Sequence, residues 1–470
     1  MAQSKRKQPP AADRLPPQLE AVNLHAAGID VGAFEHWVAV PQGADPQPVR
    51  RFGGCTADLE ALADWLAACG VRTVAMESTG VFWIPLFELL ESRGFDVRLV
   101  DARQVHQVAG RPKSDVYDCQ WLQRLHTFGL LASAFRPAEQ VCVLRGYLRQ
   151  RAMLVAYASR HVQHMQKALT QVNVKLQHVV SDVTGVTGMA IIRAILAGQR
   201  DPARLAKLRD WRCKQDEAAI ARALRGNWRP EHLFALRQAV ELYDFYNRQI
   251  AECDRQVEAQ LATFADRSGG AALPPRARPG RRRTHSPAFD ARERLYRVCG
   301  VDLTVIEGID GPTALTLVGE VGTDMSRWPS VKHFCSWLGL CPQHRVSGGK
   351  VLSRRTKPCA NRAALALRLA AGALHHSKSA LGAFFRRLKA RLGAPKAITA
   401  TAHKLARLVY ALLKHGTAYV SQAMDEYEQK YRERVVRGLC RKARELGYEL
   451  VQPGGQAPGA GPVAATAGQG

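Results

Sequence analysis

Residues 24–40 read LHAAGIDVGAFEHWVAV, and residues 72–80 read RTVAMESTG. In the first stretch, Leu24 to Val31 and His36 to Val40 are apolar runs separated by Gly-Ala-Phe-Glu, the pattern of two strands joined by a short turn. Arg72 to Met76 is a third apolar run with the look of a buried strand. The first and third segments each end at an acid with glycine nearby: Asp30 in Gly28-Ile29-Asp30-Val31-Gly32, and Glu77 in Met76-Glu77-Ser78-Thr79-Gly80. Glycine lets backbone approach closely, so these acids belong at strand ends that face a ligand.

Working outward, Pro48 to Phe52 reads as a further strand. A helix with Thr56 as its N-cap follows, with Leu59, Leu62 and Leu66 on one face. Val81 to Arg93 reads as helix, Asp96 to Val100 as strand, and a helix starts near Ser114. Three strands followed by alternating helix and strand is the order of a ribonuclease-H-like fold, a mixed sheet with helices on its faces. Asp115 and Asp118 are three apart at the last helix start and share one face. Oxygen-only ligands suit hard divalent ions, and two such ions activate an attacking oxygen and stabilise a leaving one. Taken one at a time, the same acids also read as strand ends and helix caps.

Val141 to about Lys175 and Pro230 to Phe264 carry helical periodicity with many charges, as two arms of an antiparallel coiled coil would. A helical insertion at 181–226 separates them. Residues 266–287 are rich in Gly, Pro and Arg, which marks a linker and the strongest expected boundary. The expected organisation is multidomain α/β plus α: a basic, disordered arm (1–23), a mixed-sheet domain (24–135), the coiled coil (136–265), a basic linker (266–300), a mostly helical basic domain (301–424), and a helical extension with a disordered tail (425–470).

The chain of 470 residues carries 67 Lys and Arg against 41 Asp and Glu, a formal charge of +26. From Met325 to Met424 there are 18 Lys or Arg and no Asp or Glu. A surface built only for solubility mixes both signs, so this run calls for phosphate as counter-charge. The eleven cysteines include no CxxC pair, which argues against a zinc site or a disulfide framework and for a reducing cytoplasm. No apolar run approaches the ~20 residues that cross a bilayer.

Within the basic region, Thr304 to Gly322 reads as two apolar segments around a Gly-Ile-Asp-Gly hairpin, a turn that can present backbone N–H groups to phosphate, with a helix-turn-helix packing corner as the alternative reading. His344-Arg345-Val346-Ser347-Gly348-Gly349-Lys350 then places a serine beside two glycines, with Arg354, Arg355 and Lys357 following. Arg345, Lys350, Arg354, Arg355 and Lys357 are the candidate nucleic-acid contacts. A cationic setting favours a serine alkoxide and holds a phosphate. Composition alone leaves a phosphate-binding loop serine as an alternative.

Taken together, GIDVG, AMESTGVFW, GRPKSDVYDCQWL, VSDVTGVTG, GTDMSRWPS, SWLGLCP, SGGK and AHKLARLVYALLKHGTAY resemble the DEDD transposases of insertion sequences, the IS one-ten family and its IS eleven-eleven branch. The likeness runs from about residue 24 to 423. It implies a RuvC-like N-terminal domain whose tetrad is Asp30, Glu77, Asp115 and Asp118, holding Mg2+ or Mn2+, and a C-terminal transposase domain whose catalytic serine is Ser347. It also implies covalent attack on DNA, a site shared between protomers of a dimer or tetramer, donor and target DNA as partners, and guidance by a structured RNA from the element itself. Cys119 and Pro358-Cys359-Ala360-Asn361 depart from the family pattern, and neither falls on a proposed catalytic atom. The competing readings are a RuvC-like junction nuclease that uses metal-activated water, and a nucleic-acid-binding scaffold without chemistry.

Overall fold

The computed structural model describes residues 20–77, 80–100, 114–275 and 285–450. Most of the expected N-terminal arm, all of the expected C-terminal tail (454–470), and residues 276–284 of the expected linker lie outside these. The chain divides into two compact units, Met1–Arg136 and Pro137–Gly470.

The first unit is built on a five-stranded sheet: β1 (Ala26–Val31), β2 (Glu35–Ala39), β3 (Val49–Gly53), β4 (Thr73–Glu77) and β5 (Asp96–Val100), in the order β3-β2-β1-β4-β5. β1 pairs antiparallel with β2 and parallel with β4, which pairs parallel with β5. Between strands come α1 (Thr56–Ala68) and α2 (Trp83–Ser92); α3 (Asp115–Thr127) follows the last strand. This mixed sheet with flanking helices fits the ribonuclease-H-like expectation. One face of the sheet closes over Leu62, Leu66, Leu86 and Leu90 from α1 and α2, all fully buried against Ile29, Val38, Val74 and Met76. Thr56 is not the cap of α1. Cys55 holds that position because the Asp58 carboxylate reaches back to accept from its backbone N–H (3.2 Å).

Across β1 and β4, α3 covers the other face with Trp121, Leu122 and Leu125. Gly28 makes this packing possible: a Cβ there would stand 2.2 Å from the backbone N of Gln123 and 2.4 Å from the Cys119 carbonyl oxygen. Near the other end of the helix, His126 is 1% exposed and its Nε2 lies 2.8 Å from the Thr73 hydroxyl. Burial, aided by Arg98 and opposed by Asp96, pushes its pKa down to about 4. The unfolded chain takes up this proton near pH 6.5 and the folded chain near 4. Stability is therefore full above pH 6.5 and is lost as pH falls through that window, by on the order of 3 kcal/mol. Thermal unfolding of the native chain and His126→Asn between pH 4 and 7 is expected to show a shallower pH slope in the variant. An equal slope would remove His126 as the cause.

The second unit opens with the helix α4 (Glu139–Gln171), continues through α5 (Leu176–Val179), α6 (Val186–Leu196), α7 (Pro202–Ala206) and α8 (Glu217–Ala223), and returns along α9 (Pro230–Ala262). α4 and α9 run antiparallel. Gln260 donates to the Gln140 carbonyl (3.1 Å) at one end, Arg151 meets Asp254 (2.5 Å) further along, and the Tyr157 and Tyr246 rings lie 5.5 Å apart beyond that. Leu169, Leu176, Ile192, Leu205, Ile220 and Leu236 join the arm and its insertion in one apolar cluster.

The remaining helices are α10 (Ala291–Cys299), α11 (Gly311–Val321), α12 (Val331–Trp337), α13 (Arg362–Ala373), α14 (Ala380–Leu392), α15 (Ala394–His415) and α16 (Thr417–Glu445). Arg149 forms a two-pronged pair with Glu320 (3.0 and 2.9 Å), fastening α11 to α4. The Gly-Ile-Asp-Gly stretch is not a hairpin. Asp310 is the N-cap of α11, accepting from the Thr313 N–H at 3.0 Å, with Pro312 in the first turn. Its carboxylate occupies the donors that phosphate would have used.

One short sheet interrupts the helices, formed by β6 (Arg345–Ser347) and β7 (Lys350–Ser353). Among the described residues no helix is long and apolar enough to cross a membrane.

Candidate active site

The parallel register of β1 on β4 runs Gly28 with Ala75 and Ile29 with Met76. Asp30 and Glu77 are the next step, so they leave adjacent strands, which lie ~4.8 Å apart, at the same edge of the sheet. Both side chains are half-buried. α3 runs opposite to β1. Thr127 accepts from Val22 and Asn23 (2.9 Å each), Gln123 donates to the Ala26 carbonyl (3.3 Å), and Cys119 passes over Gly28. The helix start therefore falls at the edge where β1 ends. Ser114 caps that start, its hydroxyl accepting from the Tyr117 N–H (3.4 Å).

Asp115 is exposed in the first turn and Asp118 is buried, at 8% exposure. Both sit where the helix dipole favours negative charge. Cys119 reports on the local field. Burial raises its thiol pKa to about 12, and the charges of Asp30 and Asp115 both push the same way. Those two carboxylates, from a strand and a helix 85 positions apart in sequence, thus act on one atom. The thiol stays protonated and donates to the Val116 carbonyl (3.2 Å).

Carboxylate oxygens at strand ends and a helix start are the donor type that Mg2+ or Mn2+ prefers. Among the described residues no group of three or more His, Cys, Asp or Glu is gathered closely enough to hold a metal ion. The four acids are of the donor type a divalent ion takes, but among the described residues they are not gathered into a coordination site.

Ser347 ends β6 at the tip of the hairpin, paired with Lys350 across a two-residue turn. Gly348 and Gly349 have φ of +53° and +74°, the left-handed values that such a turn requires at both central positions. Larger residues would strain it. Ser347, Lys350, Arg354, Arg355 and Lys357 are all exposed; Arg345 begins β6. The base of the hairpin is fixed by a bridge between Pro342 and Thr356, and by Gln343 donating to the Arg355 carbonyl (2.9 Å). Asn361 caps α13 by accepting from the Ala364 N–H (3.2 Å), and Cys359 packs against Gly339. The unusual Pro358–Asn361 stretch therefore ends one element and starts another.

Sequence reading missed Lys404 on α15. Burial, then the neighbouring charges of Arg407 and Arg387, lower its pKa to about 8. Cations crowded in this way repel one another, a repulsion that a bound anion would relieve. The signal was present in the acid-free run from Met325 to Met424, but only the helical faces of α14 and α15 bring these three together.

The order of a mixed sheet with acids at one edge, then a long helical region with a basic C-terminal part, is matched by two family models. Residues 27–174 match the transposase model DEDD_Tnp_IS110, which spans all four acids. Residues 302–385 match the model for transposases of the IS116/IS110/IS902 family, which spans Ser347 and the cations around it. These two matches point to a transposase, and that family in general cleaves and rejoins DNA. Both matches carry the same family designation and support an IS110-family transposase, the recombinase of an insertion sequence. No curated protein matches the chain.

Proposed function

We propose that the chain excises and inserts its own element by serine chemistry assisted by the carboxylate edge. Ser347 attacks the scissile phosphorus, its oxygen forming the new ester while the displaced sugar oxygen leaves as a hydroxyl. Attack by a hydroxyl of the receiving strand then restores the diester and frees the serine. Bond energy is conserved through the ester, so no external energy source is needed. Arg345, Lys350, Arg354, Arg355 and Lys357, with Lys404, hold the phosphates of the strand and oppose the charge that develops on them. Asp30, Glu77, Asp115 and Asp118 would hold Mg2+ or Mn2+, which would lower the cost of negative charge at phosphate oxygens.

The observation that carries this reading is the exposed Ser347 on a tight glycine turn, inside a region with no carboxylate between Met325 and Met424. A hydroxyl on a stretch that carries cations and no acids meets phosphate without repulsion from its own segment. The same reading includes a dimer or tetramer, donor and target DNA, and guidance by a structured RNA, whose phosphates add to the demand for positive charge.

The test supplies the chain with donor DNA carrying the element's flanks, a target duplex, transcript from the flanks and Mg2+. Joined donor–target product is expected. Free hydrolysed ends with no joined product would favour a junction nuclease using water instead. Binding without strand breakage would leave only a scaffold.

A further inference from the structure

Three aromatic side chains and a valine stand exposed along the edge that carries the four acids. Phe34, in the turn after Asp30, is 89% exposed; Val81 and Phe82, between Glu77 and α2, are 65% and 46% exposed; Tyr117, between Asp115 and Asp118, is 48% exposed. They come from three separate segments, each within five residues of one of the acids. The Phe82 segment is fixed in place. Gly80 takes a φ of +60°, the Trp83 indole donates to its carbonyl (3.2 Å), and Trp83 packs edge-on against Phe87 with centroids 5.7 Å apart. Isolated exposed apolar residues are ordinary on protein surfaces, but a group of them around one functional edge marks a contact surface.

Charge narrows the choice of what they contact. From Met1 to Arg136 there are fourteen Lys or Arg and fifteen Asp or Glu, a net of −1 in a chain of +26. This unit carries none of the chain's net positive charge, so its hold on nucleic acid is not mainly Coulombic. Aromatic faces bind nucleobases without needing positive charge. A paired base in a duplex is covered above and below by its neighbours, whereas an unstacked base offers its face.

We propose that Phe34, Phe82 and Tyr117 form a stacking rim that receives unpaired bases of the DNA strand beside the acids, so that this edge engages melted DNA in preference to intact duplex. The proposal rests on the reading of the edge as the cleavage site, and it adds the substrate form. Separation of the two strands over a few base pairs then precedes cutting, and the rim holds the opened strand.

The experiment uses the full chain in EDTA, where binding is read without cleavage. The probes are a duplex with a central unpaired stretch of thymines containing 2-aminopurine, the matched duplex, and oligo(dT) and oligo(U). The bubble is expected to bind more tightly than the matched duplex. Alanine at Phe34, Phe82 or Tyr117 is expected to weaken bubble binding by about tenfold each, to leave matched-duplex binding unchanged, and to restore 2-aminopurine emission. Phe34→Trp and Tyr117→Phe are expected to retain the preference, and Phe34→Leu to lose it. Because these side chains are exposed, thermal midpoints stay at the native value, which excludes unfolding as the cause. Equal affinity of the native chain for bubble and duplex, equal losses on both, or rescue by leucine would overturn the proposal. Alanine losses on oligo(U) larger than on oligo(dT) would overturn the assignment to DNA. If Asp30→Asn cleaves normally, the cleavage-site reading fails, while the bubble preference is still measured separately.

Discussion

Ser347→Ala is expected to bind DNA as the native chain does and to lose strand joining by at least ~10^3-fold, the scale on which removal of an attacking oxygen acts. The side chain is exposed at a hairpin tip, so its truncation removes no core contact and opens no cavity. Lys350, Arg354, Arg355 and Lys357 remain in place to hold phosphate, which is why affinity survives. Ser347→Cys keeps a nucleophile with different geometry and is expected to retain a trace of joining. Gel-shift titration alongside a joining assay separates the two effects. Loss of binding equal to the loss of joining would make Ser347 a phosphate contact and return the chemistry to another group.

Asp30→Asn combined with Asp118→Asn is expected to reduce strand cleavage by ~10^2-fold or more while the fold and DNA affinity persist. Asparagine keeps the shape of each site and removes the negative charge that a divalent ion needs. Asp30 leaves the end of β1 and Asp118 lies buried under the start of α3, so the pair samples both sides of the edge. An ion that binds only the folded state raises its stability, by about 2.7 kcal/mol at a hundredfold excess over the dissociation constant. Mn2+ is therefore expected to raise the thermal midpoint of the native chain and not that of the double variant. An identical midpoint shift in both proteins, with cleavage undiminished, would remove the metal role from these acids.

Much of the first unit was legible because its strands are short apolar runs with acids and glycines at their ends. Asp96–Val100 is the strand the residues implied, and Ser114 caps the helix they implied. The cap of α1 was misread because Ser and Thr are judged by what their own side chains accept. Here Asp58 reaches back to Cys55 instead, and that reach is not visible in a residue type. Gly308 to Gly311 reads as a hairpin or as a corner between helices, and Asp310 followed by Gly-Pro, with apolar residues repeating at helical spacing after it, is the helix start that decides it. The β6–β7 hairpin carried its own Gly-Gly signal, but strands of three and four residues, exposed on both sides, leave no alternation to read.

For the site, residue order gave the four acids, and the close pass of α3 over Gly28 accounts for their common edge. Side-chain convergence depends on rotamers and on the ion itself, which no sequence pattern encodes. The exposure of Phe34, Phe82 and Tyr117 was likewise hidden, since aromatic residues in such runs ordinarily fill cores. Only the turn, the helix entry and the first helical turn direct them outward. Lys404 needed two helices to meet before its crowding by Arg387 and Arg407 became apparent.

The central claim is that a hydroxyl in the cationic region becomes bonded to DNA. The direct measurement is to stop the reaction in denaturant with Mg2+ present, digest protein and DNA, and map the nucleotide-bearing peptide by mass spectrometry. The expected result is a peptide spanning Ser347 that carries the mass of a phosphonucleotide ester, absent when Mg2+ is withheld and absent from Ser347→Ala. Cut DNA with no nucleotide on any peptide, or a nucleotide on a different residue, would contradict it.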